Sequence, residues 1–122
     1  MTRALAVFSV SSGGIRVRVR LLPTILDVDR EYRAGRRRRD GLHVNAYFMP
    51  TNSEKACHLG TIALPIDGRL VELVPHEVVH AVMHRLGGVH CSDDEMLATT
   101  VGTLTSRIHS RIDRLGFGGG AS

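Results

Sequence analysis

Ile15-Arg16-Val17-Arg18-Val19-Arg20-Leu21-Leu22 alternates apolar and basic side chains with a period of two. Successive side chains of a strand point to opposite faces, so Ile15, Val17, Val19 and Leu21 share one face and the three arginines take the other. The segment reads as a half-buried strand ended by Pro23. Thr24 followed by Asp27 has the spacing of a helix cap, and Ile25, Val28 and Tyr32 recur at helical intervals before Gly35, which predicts a short helix over 25–34. After Arg36-Arg37-Arg38-Arg39 and Asp40-Gly41, the residues Val44, Ala46 and Phe48 alternate with His43, Asn45 and Tyr47 up to Pro50, a second strand. Thr51 to Cys57 reads as a loop. Gly60 to Pro65 reads as a third, short strand that closes at an Asp67-Gly68 turn. From Leu70 the period becomes helical, with Pro75 expected near the first turn and Gly87-Gly88 as the stop. A last helix is predicted from Ser92, whose spacing to Glu95 fits a capping box, through Leu97, Val101, Leu104, Ile108, Ile112 and Leu115 to the glycines beyond Gly116. The order β-α-β-β-α-α places the chain in the α+β class.

A chain of 122 residues accommodates one domain, taken here as 1–122. Its 43% apolar and 23% charged residues match a globular mix, and no apolar run reaches the roughly 18–20 residues that cross a bilayer. No membrane partner is expected. Aromatic residues are scarce and Trp is absent, which leaves little material for a base-stacking platform. The net charge is +4, and Arg36 to Arg39 supply that excess alone. Such a run is a solvated turn or a grip for phosphate, so a nucleic-acid-associated role through this loop is a rival reading. Cys57 and Cys91 are the two cysteines, and Cys57-His58 with His90-Cys91 fits no standard zinc spacing. Ala4 to Val10 is short for a secretion signal and has no clear small-x-small cleavage site, so reduced thiols and a cytoplasmic location are expected.

The helix after Leu70 carries His76-Glu77-Val78-Val79-His80. Residues four apart lie on one helical face, so both imidazoles can turn a nitrogen toward one ion at about 2.0–2.1 Å, the distance for zinc. Glu77 lies about 100° around the helix, within reach of a water on that ion, where a carboxylate acts as general base. Leu73, Val74, Val78, Val79, Val82 and Met83 make the same helix apolar enough to be buried, and buried polar side chains need partners. Zn²⁺ is the cofactor this pattern predicts.

A catalytic zinc needs a third protein ligand. His84 extends the row from His80 but drifts around the helix, while His90, Asp93 and Asp94 follow the Gly87-Gly88 turn. Glu95 is favoured on the wheel of the last helix, where Glu95, Ala98, Thr99, Gly102 and Ser106 form a face of small residues that admits a close neighbour. That neighbour is expected to be the His76–His80 helix. The spacing of Glu95 to Ser92 equally fits a cap.

His76-Glu77-Val78-Val79-His80 followed by Asp94-Glu95-Met96-Leu97-Ala98 resembles the gluzincin branch of the zincin metallopeptidases, and the chain is similar to small predicted metallopeptidases of phages and prophages. The resemblance implies a minimal zincin-like fold: a small mixed three-stranded sheet packed on the HExxH helix and a C-terminal helix. It implies His76, His80 and Glu95 as zinc ligands and Glu77 as the base that activates a zinc-bound water for peptide-bond hydrolysis. It also implies a peptide or protein substrate held extended along an edge strand, here Gly60 to Leu64. His109, His84 and Tyr47 are the candidates for holding a developing oxyanion. The alternative from another class is a phage accessory protein that keeps the zinc-binding fold and acts by binding a host or phage protein.

Overall fold

The computed structural model describes residues 3–36, 44–51, 58–85 and 94–117. Arg37 to Arg39, Cys57, His90, Cys91, Ser92, Asp93 and the Gly87-Gly88 turn lie outside the described residues, as do the side chains of Arg36 and Asp94. In chain order the elements are β1 (Ala6–Ser12), β2 (Ile15–Leu22), α1 (Ile25–Arg36), β3 (Tyr47–Pro50), β4 (His58–Pro65), α2 (Leu70–Arg85) and α3 (Asp94–Arg114). The class is α+β.

The sheet has four strands in the order β1-β2-β4-β3, one more than the three expected. The additional strand is β1, which pairs antiparallel with β2 from Ala6↔Leu21 to Ser12↔Ile15. Gly13 and Gly14 make the two-residue turn between them with φ of +56° and +84°, a backbone that glycine adopts without steric cost. Phe8 and Val10 enter the core while Val7 and Ser9 face out. β2 runs parallel to β4, and β3 antiparallel to β4, so the sheet is mixed.

Helices cover both faces. α2 and α3 pack on the face that carries Phe8, Val10, Val17, Val19, Leu21, Leu59, Ile62 and Leu64, contributing Val74, Val78, Ala81 and Val82 from one helix and Leu104, Ile108 and Ile112 from the other. α1 lies on the opposite face, where Val28 meets Leu22 and Ala63. The expected cap of α1 is present: the Asp27 amide donates to Thr24 Oγ1 at 3.1 Å and the Thr24 hydroxyl donates to the Asp27 carboxylate at 2.9 Å. A second acceptor comes from far along the chain, since the Ile25 amide donates to Asp67 Oδ1 at 2.8 Å. Asp29 is buried, and it accepts from Arg33 Nε and from the Val44 amide, both at 2.9 Å. That carboxylate thereby fixes the approach of the chain to β3.

Two local expectations are corrected. Pro75 stands sixth in α2 rather than in its first turn, so the Val71 carbonyl loses the helical N–H it would otherwise accept. Gly60 to Leu64 is not an edge strand, because β4 lies between β2 and β3; the edge beside α2 is β3. Pro50, which has no N–H to donate, ends that edge strand.

Gly60 holds β3 in place. Its φ is +146°, and a Cβ added there would stand 2.2 Å from the Met49 carbonyl oxygen and 2.9 Å from Pro50 Cα. Both atoms are backbone of β3 and neither can rotate away. Gly60→Ala is expected to cost about 2 kcal/mol or more of stability and to detach β3 from β4. Denaturant unfolding measures the loss, and amide exchange at Met49 and Thr51, whose N–H groups face β4, shows whether it is local. A variant as stable and as protected as the parent would contradict the close approach.

Candidate metal centre

α2 turns one face to the core and one to solvent. Val74, Val78, Ala81 and Val82 occupy the first; Val71, Glu72, His76, Val79, His80, Met83 and His84 occupy the second. Four-residue spacing puts His76 and His80 one turn apart on the exposed face, and their Nε2 atoms stand 3.1 Å from each other. The rings meet edge to face, at 4.8 Å between centroids and an interplanar angle of 74°. Two nitrogens bound at about 2.0–2.1 Å to one tetrahedral zinc stand about 3.3–3.4 Å apart. The pair therefore has nearly the separation that sharing an ion demands. Without an ion, a 3.1 Å separation suits a hydrogen bond between two neutral imidazoles.

Glu77 is one residue further around the helix and points inward. It is only 5% exposed, yet its Oε2 lies 3.9 Å from His76 Nε2, and ligand atoms of His76, Glu77 and His80 all lie within 4.8 Å of one another. Burial raises the Glu77 carboxyl above its ordinary range, and the imidazoles of His80 and His76 oppose that rise. A carboxylate held in this way is a stronger base than one in water. The donor set of two imidazoles and one carboxylate suits zinc.

Glu95 is not part of this group. It stands exposed at the start of α3, and the face of small residues expected to receive α2 is turned to solvent: Ala98, Thr99, Gly102 and Ser106 are all exposed. Nothing lies within 4 Å of where a Gly102 Cβ would be. α3 instead meets the core through its apolar side, with Leu104, Ile108 and Ile112 buried. Burying those large side chains removes far more apolar surface from water than a seam of small ones would, so they decide which face packs.

The His76–His80 pair opens onto a cleft of about 810 Å³ that runs along β3, the edge strand among the described residues. Phe48 and Met83 line its side toward α2, and Tyr32 and Tyr47 its side toward α1, with their rings 5.3 Å apart. Of the oxyanion candidates, Tyr47 and His84 line the cleft and His109 does not; the His84 ring lies 5.8 Å from Phe48. Tyr32, Phe48 and Met83 were not singled out as site residues by sequence, although the strand alternation already sets Phe48 and Tyr47 on opposite faces.

No family model, curated protein or solved structure matches the chain. The chemistry assigned to this cleft therefore rests on its own residues. No helix among the described residues is long and apolar enough to cross a membrane.

Proposed function

We propose that the protein is a zinc-dependent metallopeptidase of zincin type. The observation that carries the reading is the convergence of His76 Nε2 and His80 Nε2 to 3.1 Å beside the buried carboxylate of Glu77, at the mouth of a cleft. His76 and His80 would hold the metal. A third ligand would come from the segment that joins α2 to α3 or from the start of α3, where His90, Asp93, Asp94 and Glu95 lie. Zinc, when bound, supplies a Lewis acid that polarises a carbonyl and acidifies water. Glu77 is the group that takes a proton from the attacking water and returns it to the leaving amine.

The cleft supports an extended peptide as substrate. β3 is the edge of the sheet among the described residues, and an edge strand is the place where a guest strand can add to a sheet. Phe48, Met83, Tyr32 and Tyr47 flank that edge with apolar surface for the side chains of the guest. Tyr47 and His84 stand where a developing oxyanion could be held.

The test is metal content and turnover together. Purified protein is expected to carry close to one zinc per chain and to cleave an unfolded protein such as denatured casein, with activity lost to a chelator and restored by zinc. Glu95→Ala and His90→Ala, examined singly, identify the third ligand by which of them weakens zinc retention. One zinc per chain without any cleavage would favour a binding role that keeps the metal site. Protein that takes up no zinc would end the reading.

A further inference from the structure

The opposite edge of the sheet carries a second site, unrelated to the metallopeptidase reading. β1 borders a groove of about 320 Å³ lined by Ser9, Ser11, Arg107, Ser110, Arg111 and Arg114, with Val10 at its base. Three of these are arginines of α3 at positions i, i+4 and i+7, which a helix places within about 60° of one another. Ser9 and Ser11 flank Val10 along β1, so the groove lies between the edge of that strand and the arginine-bearing side of α3.

None of these three arginines has an acidic partner among the described residues. Arg107 donates to the Ser11 carbonyl, which occupies part of the free edge of β1, and Arg111 lies 5.0 Å above the Phe8 ring. Asp113 is the single acid in the second half of α3 and stands about 200° around the helix from Arg111, away from the groove. Arg20, Arg33 and Arg69, by contrast, pair with Glu31, Asp29 and Glu72. The groove brings three guanidinium groups without an acidic partner together with hydroxyl donors. Guanidinium forks and hydroxyls match the oxygens of phosphate.

We infer that the groove between β1 and α3 binds the phosphate groups of a polyanion through Arg107, Arg111 and Arg114 of α3 and the hydroxyls of Ser9, Ser11 and Ser110. Three guanidinium groups exceed the charge of one phosphate, so a chain of phosphates fits better than a single ion. No aromatic side chain is among the described residues that line the groove, and Arg111 covers the Phe8 ring beside it, so recognition runs through phosphate without base stacking. Arg107 on the Ser11 carbonyl blunts the β1 edge against a guest strand, which disfavours an acidic peptide.

The experiment is anisotropy of a fluorescent single-stranded oligonucleotide titrated with the full chain, competed by inorganic polyphosphate and by orthophosphate. Binding is expected to weaken as salt rises, with a log–log slope that falls in magnitude by about 1.4 when Arg111→Gln and Arg114→Gln remove two contacts at about 0.7 each. Arg114→Gln alone, on an exposed side chain, keeps the test valid should the Arg111 change disturb Phe8. Displacement by orthophosphate would identify a single-phosphate ligand, and displacement by polyphosphate or oligonucleotide alone a chain. The inference is overturned if these variants bind as the parent does, if replacing Arg36 to Arg39 by Ser abolishes binding instead, if an acidic peptide binds better than any phosphate probe, or if the parent binds none of the probes at low salt.

Discussion

His80→Ala is expected to leave a folded protein that no longer retains zinc. The side chain is exposed on α2, so removing it empties no part of the core and should change stability by no more than about 0.5 kcal/mol. Its effect on the metal is of another order. Losing a group that merely orients a ligand costs roughly 10–100-fold in affinity, and losing a ligand itself costs more. The same holds for His76→Ala, because the 3.1 Å approach of the two Nε2 atoms makes them equal partners. Metal analysis after gel filtration, with circular dichroism as the check on folding, measures both. A well-folded variant that keeps one zinc per chain would show that the imidazoles converge for another reason.

Glu77→Gln is expected to separate activity from stability. Gln fills the same space and keeps a hydrogen-bonding end but cannot take a proton, so hydrolysis should fall by about 10²–10⁴-fold while zinc remains bound. In the metal-free protein the same change is expected to add about 1 kcal/mol at neutral pH, a few degrees in melting temperature, because no charge has to be kept out of water. The sign follows from the raised carboxyl of Glu77. Folded protein then holds its proton to higher pH than the unfolded chain does, so this group favours the native state at low pH and loses that advantage as pH rises through the raised value. Catalysis needs the opposite form, and activity should fall as pH drops through that same region. Thermal melts of chelated parent and variant across pH test the first statement. Equal melting curves at all pH values would mean that Glu77 is not the buried charge it is here taken to be.

β2 was legible because one of its faces is buried and the other wet, which stamps a period of two on Ile15 to Leu22. β1 was not, since its outward Leu5 and Val7 are apolar and exposed, and the alternation that marks a strand is blurred. The Gly13-Gly14 pair between two apolar runs was the signal that would have supplied it. β4 was mistaken for an edge strand although Ile62-Ala63-Leu64 carries no polar alternate, which is how a strand covered on both faces reads. That α2 sets His76 and His80 one turn apart was legible because it needs only local spacing. Contact between α2 and α3 is different in kind: linear order does not say which face of a helix meets which neighbour, and the small side chains around Gly102 proved a weaker guide than Leu104, Ile108 and Ile112.

The shortness of β3 has a further consequence. A strand at the edge of a sheet also offers its backbone to unfolded copies of its own chain, and long flat edges recruit one another into fibrils. Four residues ending in Pro50 give such a copy only a brief register. That brevity works against fibre growth.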